Sequence, residues 1–398
     1  MSLFSFSNNS KEEISAVFHI GSGSVTGYIV KLSKKAKPEI IYSKISPISF
    51  QKNLNLDRHL NLMMNSLDSV AKDLQKQGLL HLNFTGLRNR GLKIAYYMLS
   101  SPWCISQARE IRMKKEEPFE ISHDTLIELL NEREKEFISD NSSEDSIIIE
   151  KKIIESKLNG YKISQIYGKM AREIEITLFL SSASKSILDK IKEVTGKYFN
   201  FRSENTQSFT LSSFSIIRDF YQEEDSFIYI DVHGELTDLS IVKDGVFIES
   251  LSFPIGKNAF IRQLSEKLRI SADEVVSLIN IHSKDKADIP TSKKIASEVE
   301  IAIKNWSENF HTVLASLSLR MNLPRTIFIT VNDNFSAFWA KKLKEEKFSQ
   351  FSMTEELFDV IVLDNKRLGE ICKSDKSLNR EPVLELECLF LNKIFNLK

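Results

Sequence analysis

Apolar and polar positions along this chain fall into two rhythms. Short blocks alternate with a period of two and predict strands; longer blocks repeat near 3.6 residues and predict helices. Residues 14–20, 24–32 and 39–47 read as three strands of a meander, punctuated by Gly-Ser turns and the Pro38 region. From Asp57 to Gln77, Leu60, Met63, Met64, Leu67, Val70, Ala71 and Leu74 share one helical face, and Gly78 is the expected stop. Lys93 to Leu99 and Ala108 to Met113 read as strands, and Ser122-His123-Asp124 caps a helix carrying Leu126, Leu129 and Leu130. Asp140 to Asp145 is a loop by composition. Ser146 to Leu158 and Glu173 to Leu180 are strands flanking an Asn159-Gly160-Tyr161 turn, and Ser184 to Thr195 is helical. Later, Asp244-Gly245 turns into a strand, Val246 to Phe253, and Pro254-Ile255-Gly256 opens a helix through Phe260, Leu264 and Leu268. Ser271-Ala272-Asp273-Glu274 matches a capping box. A long helix is expected from about Thr291 to Met321, a buried strand over Thr326 to Thr330, and a helix over Ser336 to Leu343.

Two distant stretches share one pattern, an apolar run, a small polar turn and another apolar run. They are Ala16 to Val30, turning at Gly21-Ser22-Gly23-Ser24, and Phe227 to Val242, turning at His233-Gly234-Glu235. Both predict β-hairpins. Three of only 13 glycines fall at Gly21, Gly23 and Gly27. His19 and Asp231 are 212 positions apart (231 less 19), about one domain length. A hairpin turn of small residues aims several backbone N–H groups one way, a nest that suits phosphate oxygens. Two such turns on facing lobes could clamp a triphosphate, with carboxylates holding Mg²⁺ through water, and lobe closure would report the nucleotide state.

Composition narrows the class. With 398 residues the chain can build two or more domains with real cores, and 42% apolar and 27% charged content are those of an ordinary globular protein. The 54 basic and 54 acidic residues balance, which removes any global field toward nucleic acid. Cys104, Cys372 and Cys388 form no Cys-x-x-Cys pair, so a reducing, cytoplasmic setting is expected. No run of 18 apolar residues occurs. Met1 to Ser7 lacks the basic flank and apolar core of a signal peptide and reads as a frayed terminus.

The motifs resemble those of the actin-like ATPase superfamily, nearest to its FtsA and PilM branch. His19-Ile20-Gly21-Ser22-Gly23-Ser24 sits where that family has Asp-Ile-Gly-Ser-Ser, and Asp231-Val232-His233-Gly234-Glu235-Leu236-Thr237-Asp238 where it has Asp-Ile-Gly-Gly-Gly-Thr-Thr-Asp. Pro254-Ile255-Gly256 resembles the family's Pro-Val-Gly before the next helix. Leu158-Asn159-Gly160-Tyr161, Gly168 and Glu173-Ile174-Glu175 resemble the closing segment of an inserted SHS2 subdomain. The resemblance implies an α/β, two-lobed actin-like (ribonuclease H-like) fold with an SHS2-type insert. It assigns residues 14–92 and 171–222 to the first lobe, 93–170 to the insert and 223–380 to the second lobe, with a helical subdomain near 271–322; residues 381–398 form a C-terminal helix returning to the first lobe. It also implies an ATP and Mg²⁺ site of Gly21, Ser22, Gly23, Ser24, Asp231, Gly234, Thr237, Asp238, Gly256 and Thr330, with Asp231 as metal ligand and the catalytic residue of any active form.

Departures from that pattern predict weak or absent hydrolysis. His19 replaces the family's first Asp, and imidazole is a poor magnesium ligand. Glu235 replaces a glycine, so a carboxylate would face a phosphate; two unit charges about 4 Å apart repel by roughly 4 kcal/mol at an effective dielectric of 20. His233 adds bulk where backbone should approach ligand. The adenosine motif would fall at Thr330-Val331-Asn332-Asp333, which lacks both family glycines. His19 and His233 could equally be core residues satisfied by backbone carbonyls, and a zinc site shared by His19, His233 and Asp231 is conceivable.

Phe214, Phe220 and Phe260 read as core, Pro102-Trp103 as a core anchor, and Lys341, Lys342 and Lys344 as a solvated helix face. The apolar run Leu384, Leu386, Leu389, Phe390, Ile394 and Phe395 reads as a packed last helix rather than a membrane helix. The resemblance implies a cytoplasmic scaffold of the FtsA kind in division or envelope assembly. Its partners would be division or pilus proteins bound through the insert, with head-to-tail self-association and peripheral membrane contact. The alternatives are a PilM-like adaptor holding the cytoplasmic tail of a pilus membrane protein, and an active ATPase or small-molecule kinase, for which no substrate-pocket motif is found.

Overall fold

The computed structural model describes residues 11–51, 53–84, 92–141, 145–283, 289–331, 333–346, 351, 357–374, 378 and 381–397. The readings of Met1 to Ser7, of Ser142 to Glu144 and of Asn332 lie outside them.

The chain opens with β1 (Glu12–Ile20), β2 (Ser24–Ser33), β3 (Glu39–Pro47), α1 (Leu56–Asp73), α2 (Leu79–Phe84) and β4 (Ile94–Leu99). Asn55 caps α1 by accepting from Arg58 N, and Met63, Leu67, Val70 and Ala71 bury its apolar face. Gly27 lets α1 lie against β2, because a Cβ there would fall 2.2 Å from Val70 Cγ1. The expected stop at Gly78 does not occur. A π-helical turn, Leu74–Gly78, carries α1 into α2, and a Cβ on Gly78 would lie 2.9 Å from Ile29 Cδ1. Gly78 serves close approach there, not capping.

The insert follows as β5 (Cys104–Glu120), α3 (His123–Asp140), β6 (Ser146–Leu158), β7 (Tyr161–Lys162) and β8 (Met170–Ser184). Its sheet runs β5-β8-β6-β7, with its own core around Ile111, Phe137, Ile174 and Leu178. Both expected insert bounds shift. β4 pairs in parallel with β1 and so belongs to the first lobe, while β8 continues past residue 170 to pair with β5 and β6. Asn159 and Gly160 turn β6 into β7 at φ 49° and 83°.

The chain then forms α4 (Lys185–Gly196), β9 (Ser203–Ser208) and α5 (Phe209–Phe220). The second lobe comprises β10 (Phe227–Val232), β11 (Thr237–Lys243), β12 (Val246–Phe253), α6 (Lys257–Leu268), α7 (Ala272–Ser283), α8 (Ile289–Ser318), β13 (Thr326–Val331), α9 (Asp333–Glu345) and β14 (Asp359–Val362). After α10 (Asn365–Leu368), β15 (Lys373–Ser374) returns to pair with β3, and α11 (Pro382–Leu397) closes the chain.

The sheets of the two lobes share one topology. The first reads β15-β3-β2-β1-β4-β9 and the second β12-β11-β10-β13-β14. Setting β15 aside, each is an antiparallel meander of three strands with two parallel strands added beside its first strand. Between the lobes, α5 and α11 bury Phe214, Ile217, Leu386, Leu389 and Phe390 in one apolar cluster with Val17 and Tyr28 of the first sheet and Phe227 and Phe328 of the second. Phe214 and Phe260 are core, but Phe220, at the end of α5, is 47% exposed. No helix among the described residues is long and apolar enough to cross a membrane.

Candidate functional site

The matched topology brings the two hairpin turns face to face. Each has four residues between paired strand positions, Ile20–Val25 in one and Val232–Thr237 in the other. Each is closed by the same bond: Gly21 N donates to Ser24 O at 3.1 Å, and His233 N to Leu236 O at 2.9 Å. Register therefore matches His19 with Asp231, Gly21 with His233, Ser22 with Gly234 and Gly23 with Glu235.

The turns touch through backbone. A Cβ on Gly234 would lie 2.2 Å from Gly23 Cα, and one on Gly23 would lie 2.7 Å from Gly234 Cα. Glu235 N donates to Ser22 Oγ across the contact at 3.0 Å. Of the sequence-predicted site residues, Gly21, Ser22, Gly23, Ser24, Asp231, Gly234 and Thr330 line the space that remains, together with His19, His233, Lys257 and Glu381. That space is about 70 Å³, against roughly 300–1,000 Å³ for a small-molecule pocket. Thr237, Asp238 and Gly256 do not line it. Thr237 Oγ1 donates to Ile255 O and accepts from Trp306 Nε1, and Gly256 caps α6 so close to the turn that a Cβ would lie 2.5 Å from His233 O.

His233, Asp231 and Asp238 pair with one another in the cleft. His233 Nε2 lies 3.0 Å from Asp231 Oδ2 and 3.1 Å from Asp238 Oδ2. Burial alone would lower the His233 pKa, but Asp231 and then Asp238 outweigh it and push it up to about 10, so the ring is an imidazolium at neutral pH. Burial would raise Asp238, but His233 and Ser252 hold it below the usual carboxylate range. Asp231 Oδ1 accepts from Thr330 Oγ1 at 2.5 Å, and Thr330 Oγ1 also meets Tyr229 OH at 2.6 Å. The Glu235 carboxylate does not face the cleft as expected. It accepts from Asn258 Nδ2 at 2.9 Å and from both Arg262 Nη atoms at 3.0 and 2.5 Å, a two-pronged pair that draws it onto α6.

His19 is paired inward. Its Nδ1 lies 2.7 Å from Glu387 Oε1 on α11, and Tyr28 OH donates to Glu387 Oε2 at 2.7 Å. Burial would lower the His19 pKa, and Glu387 more than reverses that. Both histidines are thus satisfied by carboxylates, not by the backbone carbonyls a core reading expects. The shared zinc site is not formed: among the described residues no His, Cys, Asp or Glu cluster is arranged to hold a metal.

Neither Mg²⁺ nor a nucleotide fits this arrangement. A hydrated Mg²⁺ needs six oxygen positions around it, yet the Asp231 and Asp238 oxygens that could face it enclose an imidazolium. Beside the touching glycines only about 70 Å³ remains for a phosphate group. Sequence reasoning missed Lys257 and Glu381 in the lining and, around it, Glu387, Tyr28, Arg262, Asn258 and Trp103, whose Nε1 braces the first turn by donating to Gly21 O at 2.9 Å. Two acidic residues inside the apolar run Leu384-Glu385-Leu386-Glu387 were the one available signal.

The paired sheets, the helices shared between them and the inserted subdomain define a two-lobed actin-like ATPase fold with an SHS2-type insert. Among solved structures the chain is similar to the "PilM-PilN type IV pilus biogenesis complex", with a TM-score of 0.62 and 12% identity over 96% of this chain and 98% of that one. A Bacteroides thetaiotaomicron protein "with actin-like ATPase fold and unknown function" also matches, at TM-score 0.42 and 10% identity over 98% and 99% of the two chains. The ethanolamine utilization protein EutJ from Carboxydothermus hydrogenoformans matches at 0.43 and 11% over 95% and 90%. No family model and no curated protein matches the sequence. At 12% identity the likeness to the PilM-PilN complex shows the fold alone.

Proposed function

We propose that this chain is a PilM-like assembly scaffold that works without nucleotide turnover. One observation carries the reading: the turns that would hold a triphosphate meet backbone to backbone at Gly23 and Gly234. A scaffold of this kind holds partners by its surfaces, and the actin-like lobes supply rigid support. The likeness to PilM, solved in a complex with PilN, favours pilus or related envelope assembly over division. The insert is the candidate partner-binding unit, since Tyr161, Tyr167 and Met170 are 80%, 58% and 59% exposed at one end of it.

The test pairs two assays on the purified chain. One titrates it with the cytoplasmic tail of a pilus-assembly membrane protein; the other measures phosphate release from Mg·ATP. Saturable tail binding that Tyr161→Ala and Tyr167→Ala weaken, with no phosphate release, is expected. Steady ATP turnover lost in Asp231→Ala, with no tail binding, would make the chain an enzyme instead.

A further inference from the structure

We propose that the insert is joined to the first lobe through the carboxyl group of Glu150, and that the proton on that group sets how tightly the two are held. A bulge aims the side chain. In β6, Ile148 pairs with Ser182 and Glu150 with Ser181, so Ile149 is the extra residue. Ile148 packs against the insert's own core and Ile149 against that of the first lobe. Glu150 is half-buried as a residue, with its carboxyl end turned inward. It meets the first lobe where β9 ends and α5 begins: Oε2 accepts from Ser208 N at 3.0 Å and from Ser208 Oγ at 2.5 Å.

A line of hydroxyls stands behind that contact. Ser208 Oγ donates to Glu150, accepts from Leu211 N as the cap of α5, and accepts from Ser181 Oγ at 3.1 Å. Ser181 has then spent its proton, so Ser106 Oγ, 2.9 Å away, donates to it. Ser106 and Ser181 belong to the insert sheet and Ser208 to the first lobe. Their O–H groups thus point one way across the joint and end on one carboxyl oxygen. The other oxygen, Oε1, is buried and has no hydrogen-bond partner among the described residues. A charge there lacks both water and a donor, whereas a proton on Oε1 leaves every bond at Oε2 in place. Burial outweighs the serine donors and pushes the Glu150 pKa from 4.5 to about 7. Of the titratable groups on the surrounding elements, Lys152 on β6 favours the charged form, and burial keeps the Cys104 thiol on β5 neutral. Glu204 on β9 is turned to Tyr97 OH at 2.7 Å, and β8 and the first turn of α5 present hydroxyl and apolar groups. A docked Glu150 therefore holds its proton more firmly than a solvated one, and the joint is tightest in acid. Its closing equilibrium weakens by up to about tenfold per pH unit as pH rises from 4.5 to about 7, then levels off.

The Ser208 amide reports on the joint, since it donates to Glu150. Its hydrogen exchange is followed by mass spectrometry on the full chain, in peptides covering Ser203 to Ser212, and corrected for the intrinsic pH dependence of exchange. Protection is expected to fall by roughly 10- to 100-fold between about pH 5 and 8 and to stay level above. Glu150→Gln, which cannot ionise, is expected to keep its protection across that range. Ser181→Ala breaks the hydroxyl line without touching the α5 cap and is expected to move the fall to higher pH. Parental protection that does not vary with pH would overturn the joint, as would a Glu150→Gln variant that repeats the parental fall. If Glu150→Gln fails to fold by circular dichroism, the parental profile and its displacement in Ser181→Ala decide. The joint stands or falls independently of what the insert binds, so it can fail while the scaffold reading stands.

Discussion

The two hairpin turns are alike in length, register and closing hydrogen bond, and opposite in chemistry. The first has no ionisable side chain from Gly21 to Ser24. Its nearest ionisable group, His19, turns Nδ1 toward Glu387 on α11 and Nε2 toward the turn itself. The second carries His233 and Glu235 within the turn and has Asp231 and Asp238 on the strands beside it. One turn stays bare where the other rests against it, and the filled turn pairs its charges within its own lobe. A duplicated backbone device can thus be kept for its shape while its open space is closed by side chains of a single copy.

The comparison breaks most readily at its buried charges. Glu387→Ala removes the partner of a buried histidine, and breaking a buried pair from one side costs about 3–5 kcal/mol. Urea unfolding should show that loss; a loss below about 1 kcal/mol would mean the first turn needs no inward pairing. The second turn should respond to pH. The His233 pKa rises from 6.5 to about 10 on folding, so the native state holds more protons than the unfolded chain between those values. Its stabilisation is whole below pH 6.5 and is lost as pH climbs through about 10, at most roughly 5 kcal/mol in all. His233→Gln should flatten that part of the pH–stability curve, and a parental slope in this variant would assign the effect elsewhere.

Smaller effects sharpen the contrast. Gly234→Ala forces a Cβ into Gly23 backbone and should cost about 1–3 kcal/mol, whereas Gly21→Ala meets His19 Nε2 at 3.2 Å and Ser24 O at an ordinary 3.5 Å, and should cost under about 1. Equal melting shifts for the two would deny that the turns meet at the glycine pair. Trp103→Phe removes one buried hydrogen bond to Gly21 O and should cost about 1 kcal/mol. No change in melting temperature would show that the first turn holds its shape without that brace.

What was legible in the sequence was local. Strands β1, β2 and β3 lie within two residues of their expected spans because alternation and turn residues act over a few positions. The capping box formed as read, with Ser271 N donating to Glu274 Oε2 at 2.8 Å and Glu274 N to Ser271 Oγ at 3.3 Å. The likeness of the two hairpins was visible too, since each carries its own pattern. Partners of the charged side chains were not visible. Glu235 meets Arg262 27 residues onward and His19 meets Glu387 368 residues onward, and no periodicity reports such distances. Gly78 misled because a glycine at a helix stop and a glycine under a close neighbour look the same in one dimension. The closed cleft was hidden for a related reason, since the motif shows which small residues are present and not what rests on them.

Calorimetric titration of the unmodified chain with Mg·ATP tests the central claim most directly. A cleft closed on its own side chains predicts no saturable heat at any concentration up to millimolar. Micromolar binding that Asp231→Ala abolishes would contradict it.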